Sequence, residues 1–158
     1  TAPDIADGGS RKENFHNTLD RLLELGALPV INENDTVATE EIVIGDNDTL
    51  AAIVAKSVKA ELLVLLSDID GLYTADPHTH KNARRIPLVE EMTDSIRILG
   101  GGSSSSQGTG GMGTKLQAAD ICMSCGCDMV IANGADPDNL YGILEGKDIG
   151  TRFRRNPA

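Results

Sequence analysis

The segment Glu61–Ser67, ELLVLLS, decides which fold class this chain can adopt. The run is almost continuously apolar, as is typical of a strand buried on both faces within a parallel sheet. It therefore predicts a strand at the centre of such a sheet. The run ends at Asp68–Pro77, DIDGLYTADP, whose Gly, Pro and Asp residues predict a loop.

Helical and strand patterns alternate on both sides of this segment. Apolar residues recur at helical spacing in several stretches, and two short apolar runs predict further buried strands. The predicted helices are Arg11–Leu25, Thr49–Ala60 and Lys115–Cys125, the strands are Ala27–Asn32 and Cys127–Asn133, and shorter helices are expected within Leu88–Leu99 and between Pro137 and Gly146. This alternation predicts an α/β domain around a mainly parallel sheet, in which ligands bind beyond the carboxyl ends of the strands.

The composition is that of one globular unit. The chain has 158 residues, of which 40% are hydrophobic and 24% are charged, which is enough for one domain with a sizeable core. Its formal net charge of −10 argues against nucleic acid or an anionic membrane as a partner, because both require an excess of Lys and Arg. No apolar run approaches the roughly 20 residues of a membrane span, and no secretory signal pattern is present. A cytoplasmic protein is therefore expected.

The cysteines and histidines do not favour a metal site. Cys122, Cys125 and Cys127 are odd in number and lie in an apolar periodic segment without a nearby His, so buried thiols are favoured over a disulfide or a zinc site. His78 and His80 have the spacing of a metal-binding pair, but their polar surroundings favour a solvated loop. The sequence therefore predicts no metal-ligating residues.

The Gly- and Ser-rich run Gly100–Lys115, GGGSSSSQGTGGMGTK, allows two interpretations. Composition alone favours a flexible linker. The alternative is a loop that binds a phosphate, because glycines at a helix start expose backbone N–H groups to an anion. The run is not a Walker A motif, since Leu116 follows Lys115 where that motif has Ser or Thr. Lys115 near a helix start opposes the helix dipole, and a bound anion would offset that repulsion.

Two acidic clusters follow predicted strands or strand-like runs, Asn32–Asp35 (NEND) and Gly45–Asp48 (GDND). Asp and Asn before an apolar run usually cap helices. The same side chains could instead hold an ammonium group, orient Lys115 or contact a metal-bound phosphate, and the sequence leaves these alternatives open. The loop Asp68–Pro77 lacks the late Glu of an EF-hand, so contact with a nucleotide is favoured over chelation of a divalent cation.

Four stretches of the chain together carry a family resemblance. In chain order they are PVINENDTVATEEIVIGDNDTLAA, LLSDIDGLYTADP, GTGGMGTKLQAAD and EGKDIGTRF. They resemble the amino acid kinase family, and within it the members that phosphorylate the side-chain carboxylate of glutamate. INEND, GDND and GTGGMGTK together separate these members from acetylglutamate kinase, aspartokinase and uridylate kinase relatives. The resemblance extends from Asn14 to Phe153 and implies part of the family's αβα sandwich around a mainly parallel sheet.

The resemblance also implies roles for individual residues. Asp35 and Asn47 match positions that bind the substrate, and Asp46 is implicated in recognition of the substrate or of proline. Asp48 matches the aspartate that holds the catalytic lysines in position, and Lys115 matches the lysine on the transferring phosphoryl group. The implied nucleotide-binding residues are Ser67, Asp68, Thr109, Gly110, Gly111, Met112, Gly113, Thr114 and Lys115.

The implied activity is the ATP-dependent phosphorylation of L-glutamate to L-glutamyl 5-phosphate with Mg²⁺, the first step of proline synthesis. A carboxylate nucleophile is already ionised at pH 7, so the reaction needs alignment and charge neutralisation and no general base. The resemblance further implies feedback inhibition by proline, a homo-oligomer, and functional coupling to glutamate-5-semialdehyde dehydrogenase.

The resemblance sets an expectation for the domain organisation. Residues 1–158 match the C-terminal portion of the kinase domain. Family members begin with a strand, a Gly-rich turn and a second phosphate-contacting lysine that this chain lacks, and many bacterial members continue into a PUA-type domain that is not expected here. Two alternatives stay open: a non-catalytic fragment that binds or senses amino acids, and the kinase half of a bifunctional pyrroline-5-carboxylate synthase.

Overall fold

A computed structural model describes residues 9–32, 46–101 and 111–155 of the chain. In these residues helices and short strands alternate, which confirms the predicted α/β class. The helices are α1 (Ser10–Glu24), α2 (Asn47–Ser57), α3 (Asp94–Leu99), α4 (Met112–Ser124) and α5 (Asn139–Leu144), and the strands are β1 (Leu62–Ser67), β2 (Leu88–Val89), β3 (Asp128–Asn133) and β4 (Thr151–Phe153).

The described strands form one four-stranded sheet with the order β1-β3-β4-β2. β1 and β3 run parallel, with Ser67 opposite Asn133 at their carboxyl ends. β2 and β4 also run parallel, and β3 and β4 form the antiparallel pair. The prediction of a mainly parallel sheet is therefore confirmed.

β1 lies at one end of this order, so the predicted central position is wrong among the described strands. Leu65, which is 7% exposed, is the only buried residue of β1, whereas residues 129–132 of β3 are each at most 1% exposed. An apolar run indicates that a segment can be buried. Such a run does not determine the order of the strands, and this order decides how completely the neighbouring elements cover each strand.

Helices lie on both faces of the sheet, as an αβα sandwich requires. On one face, α2 and α4 share a core with Met129 and Ile131 of β3. On the other face, Val130 and Ala132 pack with Ile143 of α5. Helices α2 and α4 also pack against each other, and small side chains allow their close approach. The buried alanines of these two helices are Ala52, Ala55, Ala118 and Ala119.

The longer predicted helices are confirmed, since α1, α2 and α4 each match the prediction to within three residues at either end. The strand predicted at the second apolar run, Cys127–Asn133, is confirmed as β3. None of the helices in the described residues is long and apolar enough to cross a membrane.

Other predicted elements differ from the structure. The predicted strand Ala27–Asn32 has no regular structure, and its Leu28 and Val30 are 87% and 92% exposed. A strand requires a neighbour that supplies backbone hydrogen bonds, and no described strand pairs with this segment. The segment Leu88–Leu99 contains β2 as well as α3. β2 and β4 are too short to produce a periodic pattern, so the prediction missed both.

Two of the three cysteines are buried thiols, as predicted. The amide N–H of Cys127 donates to the carbonyl of Cys122 at 3.0 Å, which brings the two residues together where α4 ends. Burial raises the pKa of both thiols above the ordinary value. The prediction of burial is wrong for Cys125, which is exposed.

Candidate active site

The starts of α2 and α4 lie at the end of the sheet where β1 and β3 finish, because each helix is about as long as the strand that follows it. This end of the sheet is called the carboxyl edge. Helix α2 has 11 residues and β1 has 6, which correspond to about 17 Å and about 20 Å. Helix α4 has 13 residues and β3 has 6, each about 20 Å long. Each helix leads directly into its strand, so its N-terminus returns to the end where the strand finishes. Both helix starts and both strand ends therefore face one edge.

At this edge the structure joins Asp48 and Lys115. The ammonium Nζ of Lys115 lies 3.1 Å from Oδ2 of Asp48. The hydroxyl of Thr114 donates to the same carboxylate oxygen at 2.7 Å. Lys115 is 6% exposed, and the side chain of Asp48 is 16% exposed. The two residues are 67 positions apart in the chain, and the packing of α2 on α4 brings them into contact.

The charges of this pair have opposite relations to their helix dipoles. Asp48 lies in the first turn of α2, where a negative charge is favourable, whereas Lys115 lies in the first turn of α4, where a positive charge is unfavourable. Burying such a pair adds little net stability, because desolvation offsets much of the attraction between the charges. A lysine held in this position is therefore better explained by an anionic ligand than by folding.

The helix start beside Lys115 is suited to an anion. Helix α4 begins after Gly111, which has no side chain with which to cap the first backbone N–H groups. Gly113 is closely packed, since a Cβ atom there would lie 3.2 Å from the carbonyl oxygen of Gly100. The predicted residues Thr109 and Gly110 lie outside the described residues. A phosphate-binding loop requires uncapped backbone N–H groups and a cation. The described part of the run, from Gly111 to Lys115, has both features.

Asp46 acts as a helix cap. Its Oδ1 accepts the backbone N–H of Thr49 at 2.7 Å, and its Oδ2 accepts the hydroxyl of Thr49 at 2.8 Å. Of the alternatives that the sequence left open for this cluster, capping is the one that the structure displays for Asp46. A carboxylate whose two oxygens already accept hydrogen bonds has less capacity to bind a ligand.

Loss of this cap is expected to affect stability. Asp46→Ala should lower the free energy of unfolding by about 1 kcal/mol, and Asp46→Ser should recover most of that loss because Ser also caps helices. Chemical denaturation of both variants measures the difference. Equal losses in both variants would show that the carboxylate has a role beyond capping.

Asn47 lines a cavity of about 480 Å³ between α2 and β1. Asn32, the first residue of the NEND cluster, lines the same cavity. One asparagine from each cluster therefore lines this cavity. The third predicted substrate-binding residue, Asp35, lies outside the described residues. The other described lining residues are apolar, so the two asparagines supply the polar side chains of this lining.

Ser67 and Asp68 lie where β1 ends. The hydroxyl of Ser67 donates to Oδ1 of Asp68 at 3.0 Å, and Asp68 is exposed. The side-chain amide of Asn133 donates to the carbonyl of Asp68 at 3.3 Å, which ties the end of β3 to the loop after β1. Asn133 is not among the predicted site residues, although its position at the end of a predicted strand was a usable signal.

Asp70 is held within the same loop. The hydroxyl of Tyr73 lies 3.0 and 3.1 Å from its two carboxylate oxygens. This hydrogen bond stabilises the protonated phenol and raises the pKa of Tyr73 above its ordinary value. The loop after β1 therefore presents two exposed carboxylates, Asp68 and Asp70, at the edge that also carries the starts of α2 and α4.

Comparison with known proteins places this geometry in context. A profile described as the amino acid kinase family matches residues 4–133. Glutamate 5-kinase of Caldanaerobacter subterraneus subsp. tengcongensis is 52% identical over 99% of this chain and 42% of its own length. Glutamate 5-kinase of Clostridium perfringens is 47% identical over 95% of this chain and 57% of its own length. The chain thus spans about half the length of the curated relatives it matches.

Solved structures show the same fold. UMP kinase from Bacillus anthracis superposes with a TM-score of 0.62 at 16% identity, covering 90% of this chain and 52% of that protein. An isopentenyl phosphate kinase superposes with a TM-score of 0.59 at 25% identity, covering 86% of this chain and 49% of that protein. These similarities support the fold and carry no argument about the substrate.

Proposed function

This chain belongs to the amino acid kinase family, and from that premise we propose that it is the C-terminal portion of the kinase domain of a glutamate 5-kinase. The proposed reaction is transfer of the γ-phosphoryl group of ATP to the side-chain carboxylate of L-glutamate, forming L-glutamyl 5-phosphate and ADP. The observation that carries the proposal is the buried Lys115–Asp48 pair at the uncapped start of α4. The 52% identity to a glutamate 5-kinase over 99% of this chain supports glutamate as the acceptor.

The proposed reaction requires no proton transfer. A side-chain carboxylate oxygen of glutamate forms a bond to the γ-phosphorus, the bond from that phosphorus to the bridging oxygen breaks, and ADP leaves with the electron pair. The difficulty lies in bringing two anions together and in stabilising the charge on the phosphoryl oxygens. Fixed positive groups that are placed before the reaction meet both requirements.

Lys115 is the fixed positive group of this proposal. Asp48, whose carboxylate also accepts the hydroxyl of Thr114, holds it in place, so that its ammonium group neutralises charge on the transferring phosphoryl oxygens. The backbone N–H groups that follow Gly111 bind phosphate oxygens as well, and we extend this role to Thr109, Gly110, Met112 and Gly113 of the same run. Asp48 thus acts on the reaction through Lys115, as a positioning residue.

The remaining predicted residues are assigned to the two substrates. Ser67 and Asp68 contact the nucleotide at the end of β1. Asn47 and Asp35 bind glutamate, with Asn47 in the lining of the cavity next to α2. Asp46 contributes to this site by fixing the start of α2, whose first turn carries both Asn47 and Asp48.

A magnesium ion fits this site as a partner of ATP rather than as an ion held by the protein alone. Within the described residues, no group of three or more His, Cys, Asp or Glu side chains could hold a metal ion. Mg²⁺ is commonly bound by one or two carboxylates together with substrate phosphates, and the exposed carboxylate of Asp68 suits that arrangement. When bound, the ion would neutralise charge on the β- and γ-phosphates.

The proposal includes the wider properties of such a kinase. We assign the protein to the cytoplasm and to the first step of proline synthesis, with proline as a feedback inhibitor. We also propose a homo-oligomer and functional coupling to glutamate-5-semialdehyde dehydrogenase, which would consume the labile acyl phosphate.

A hydroxylamine trapping assay tests the proposed function. The full-length gene product should form glutamyl hydroxamate only when glutamate, ATP and Mg²⁺ are all present, and aspartate should not replace glutamate. A full-length protein that binds glutamate or proline and forms no hydroxamate would overturn the kinase proposal in favour of a regulatory module. Reduction of the acyl phosphate by the same polypeptide with NADPH would identify a bifunctional synthase.

A further inference from the structure

We propose that Thr151, which lies on β4 and far from the predicted site residues in sequence, positions the loop that contacts the nucleotide. This inference rests on the proposed function, because it assumes that the loop Asp68–Pro77 serves ATP. Thr151 is assigned no contact with the substrates. It acts through the backbone of the loop, as a positioning residue.

The hydroxyl of Thr151 joins the two ends of the segment 72–86, which lies between β1 and β2. Thr151 is fully buried. Its Oγ1 accepts the backbone N–H of Leu72 at 2.8 Å and donates to the carbonyl of Ile86 at 2.6 Å. The N–H of Ile86 in turn donates to the carbonyl of Leu72 at 2.8 Å. One side chain therefore satisfies a donor at the start and an acceptor at the end of the segment 72–86.

Glycines allow the close approach that these hydrogen bonds require. A Cβ atom on Gly71 would lie 2.6 Å from Oγ1 of Thr151, and a Cβ atom on Gly150 would lie 2.0 Å from the carbonyl oxygen of Ile131. Gly150 also has a φ of +71°, which favours glycine over residues with side chains. β4 is thus seated against both β3 and the loop, and a bulkier residue at either glycine would separate them.

Arg85 forms a second connection between the same segments. Its guanidinium donates to the carbonyl of Gly150 and to Oδ1 of Asp148 at 3.0 Å. An isolated antiparallel β-bridge also pairs the backbones of Tyr73 and Arg85, next to the hydrogen bond between Leu72 and Ile86. The segment 72–86 is therefore attached at two neighbouring points. One is the neutral, buried contact with Thr151 at the start of β4, and the other is the charged, partly exposed contact of Arg85 with the residues just before β4.

The attachment is close to the residues proposed to contact ATP. Gly71 alone separates Leu72 from Asp70, and the carboxylate of Asp70 accepts the hydroxyl of Tyr73. Asp68 precedes this group by two residues. A shift of Leu72 would therefore move the exposed carboxylates of the loop. The Lys115–Asp48 pair belongs to α2 and α4, so it should keep its geometry.

Removal of the hydroxyl at constant side-chain shape tests the inference. In the full-length gene product, Thr151→Val should raise KM for ATP about tenfold, because a buried donor and a buried acceptor lose their partner. KM for glutamate should change less than about twofold. Thr151→Ser retains the hydroxyl and should restore KM for ATP to near the wild-type value. A merely structural role would instead change both KM values together or lower the amount of active enzyme.

Hydrogen exchange supplies a readout that does not depend on activity. The amides of segment 71–86, Leu72 above all, should exchange faster in Thr151→Val than in Thr151→Ser, while those of α2 should not change. Unchanged exchange in this segment, or equal KM effects for ATP and glutamate, would overturn the inference. If Thr151→Val does not fold, Arg85→Met is the second variant, with a smaller rise in KM for ATP, about threefold. No rise in that variant would also count against the inference.

The two proposals can fail separately. Absence of hydroxamate from the wild-type protein rejects the kinase proposal. The role of Thr151 is then judged by calorimetric titration of ATP and by hydrogen exchange. Retained ATP affinity in Thr151→Val rejects the positioning role even where the kinase proposal stands.

Discussion

Replacement of Lys115 with Met is expected to lower kcat about a thousandfold in the full-length protein, with less than about a threefold change in KM for glutamate. Met approximates the length of Lys and removes its charge. The ammonium group would interact most strongly with the phosphoryl oxygens as charge is redistributed in the transition state, so its loss should appear in kcat. Steady-state kinetics of hydroxamate formation measures both constants.

The exposed residue Lys56, at the other end of α2, provides the matched control for this change. Lys56→Met removes the same charge and should leave kcat and both KM values near the wild-type values. Thermal unfolding of the Lys115→Met protein shows whether it is folded at the assay temperature. A folded variant with normal kcat and a raised KM for glutamate would assign Lys115 to substrate binding and remove it from phosphoryl transfer.

Asp48→Asn is expected to lower kcat about a hundredfold, because Lys115 then loses its contact with the carboxylate of Asp48. Asn retains the size of Asp and can still accept a hydrogen bond from Thr114, so the packing between α2 and α4 should survive. This effect is smaller than that of Lys115→Met, because Asp48→Asn only displaces the lysine, whereas Lys115→Met removes its charge. The measurement is again steady-state kinetics of hydroxamate formation.

Two comparisons decide whether Asp48 acts through Lys115. Asp20→Asn, on the exposed side of α1, is the control for loss of one carboxylate and should leave kcat unchanged. In the double variant, Asp48→Asn should add little to the effect of Lys115→Met, since residues that act as a unit are not additive. Effects that multiply fully would mean that Asp48 acts independently of Lys115.

The loss of stability from these changes should be modest compared with the loss of activity. A buried ion pair contributes little to net stability, although removal of one partner leaves the other charge without compensation. The hydroxyl of Thr114 still serves the carboxylate of Asp48 when Lys115 is replaced. This remaining hydrogen bond is one reason to expect a folded protein whose main defect is catalytic.

Local sequence patterns predicted the elements that are long or strongly periodic. Helices α1, α2 and α4 and strands β1 and β3 lie within three residues of their predicted limits. The failures share one physical cause, because a strand depends on a partner that is distant in sequence. Ala27–Asn32 is apolar and has no described partner strand, whereas Thr151–Phe153 forms β4 with only three residues because β3 and β2 flank it.

The candidate site was also predictable only in part, because the sequence indicates the residue types but not their contacts. The residue types of the phosphate-binding run and of the two acidic clusters could be selected from the sequence, since Gly, Asp, Asn and Lys in such groups have a limited set of uses. The contacts that each side chain makes could not be predicted from the sequence. Asp46 and Asp48 are two residues apart and equally acidic, yet one caps α2 and the other contacts Lys115.

By itself, the sequence determined the α/β class, the principal helices and strands, and a short set of residues able to serve an anionic ligand. These properties follow from periodicity, composition and local backbone preferences, which act over a few neighbouring residues. Only the tertiary structure decided the order of the strands, the contact between Asp48 and Lys115, and the attachment of the loop after β1 to Thr151. The contact between Asp48 and Lys115, the attachment to Thr151 and the pairing of β1 with β3 each join residues more than 60 positions apart, and such contacts arise from the packing of whole elements, which no local pattern contains.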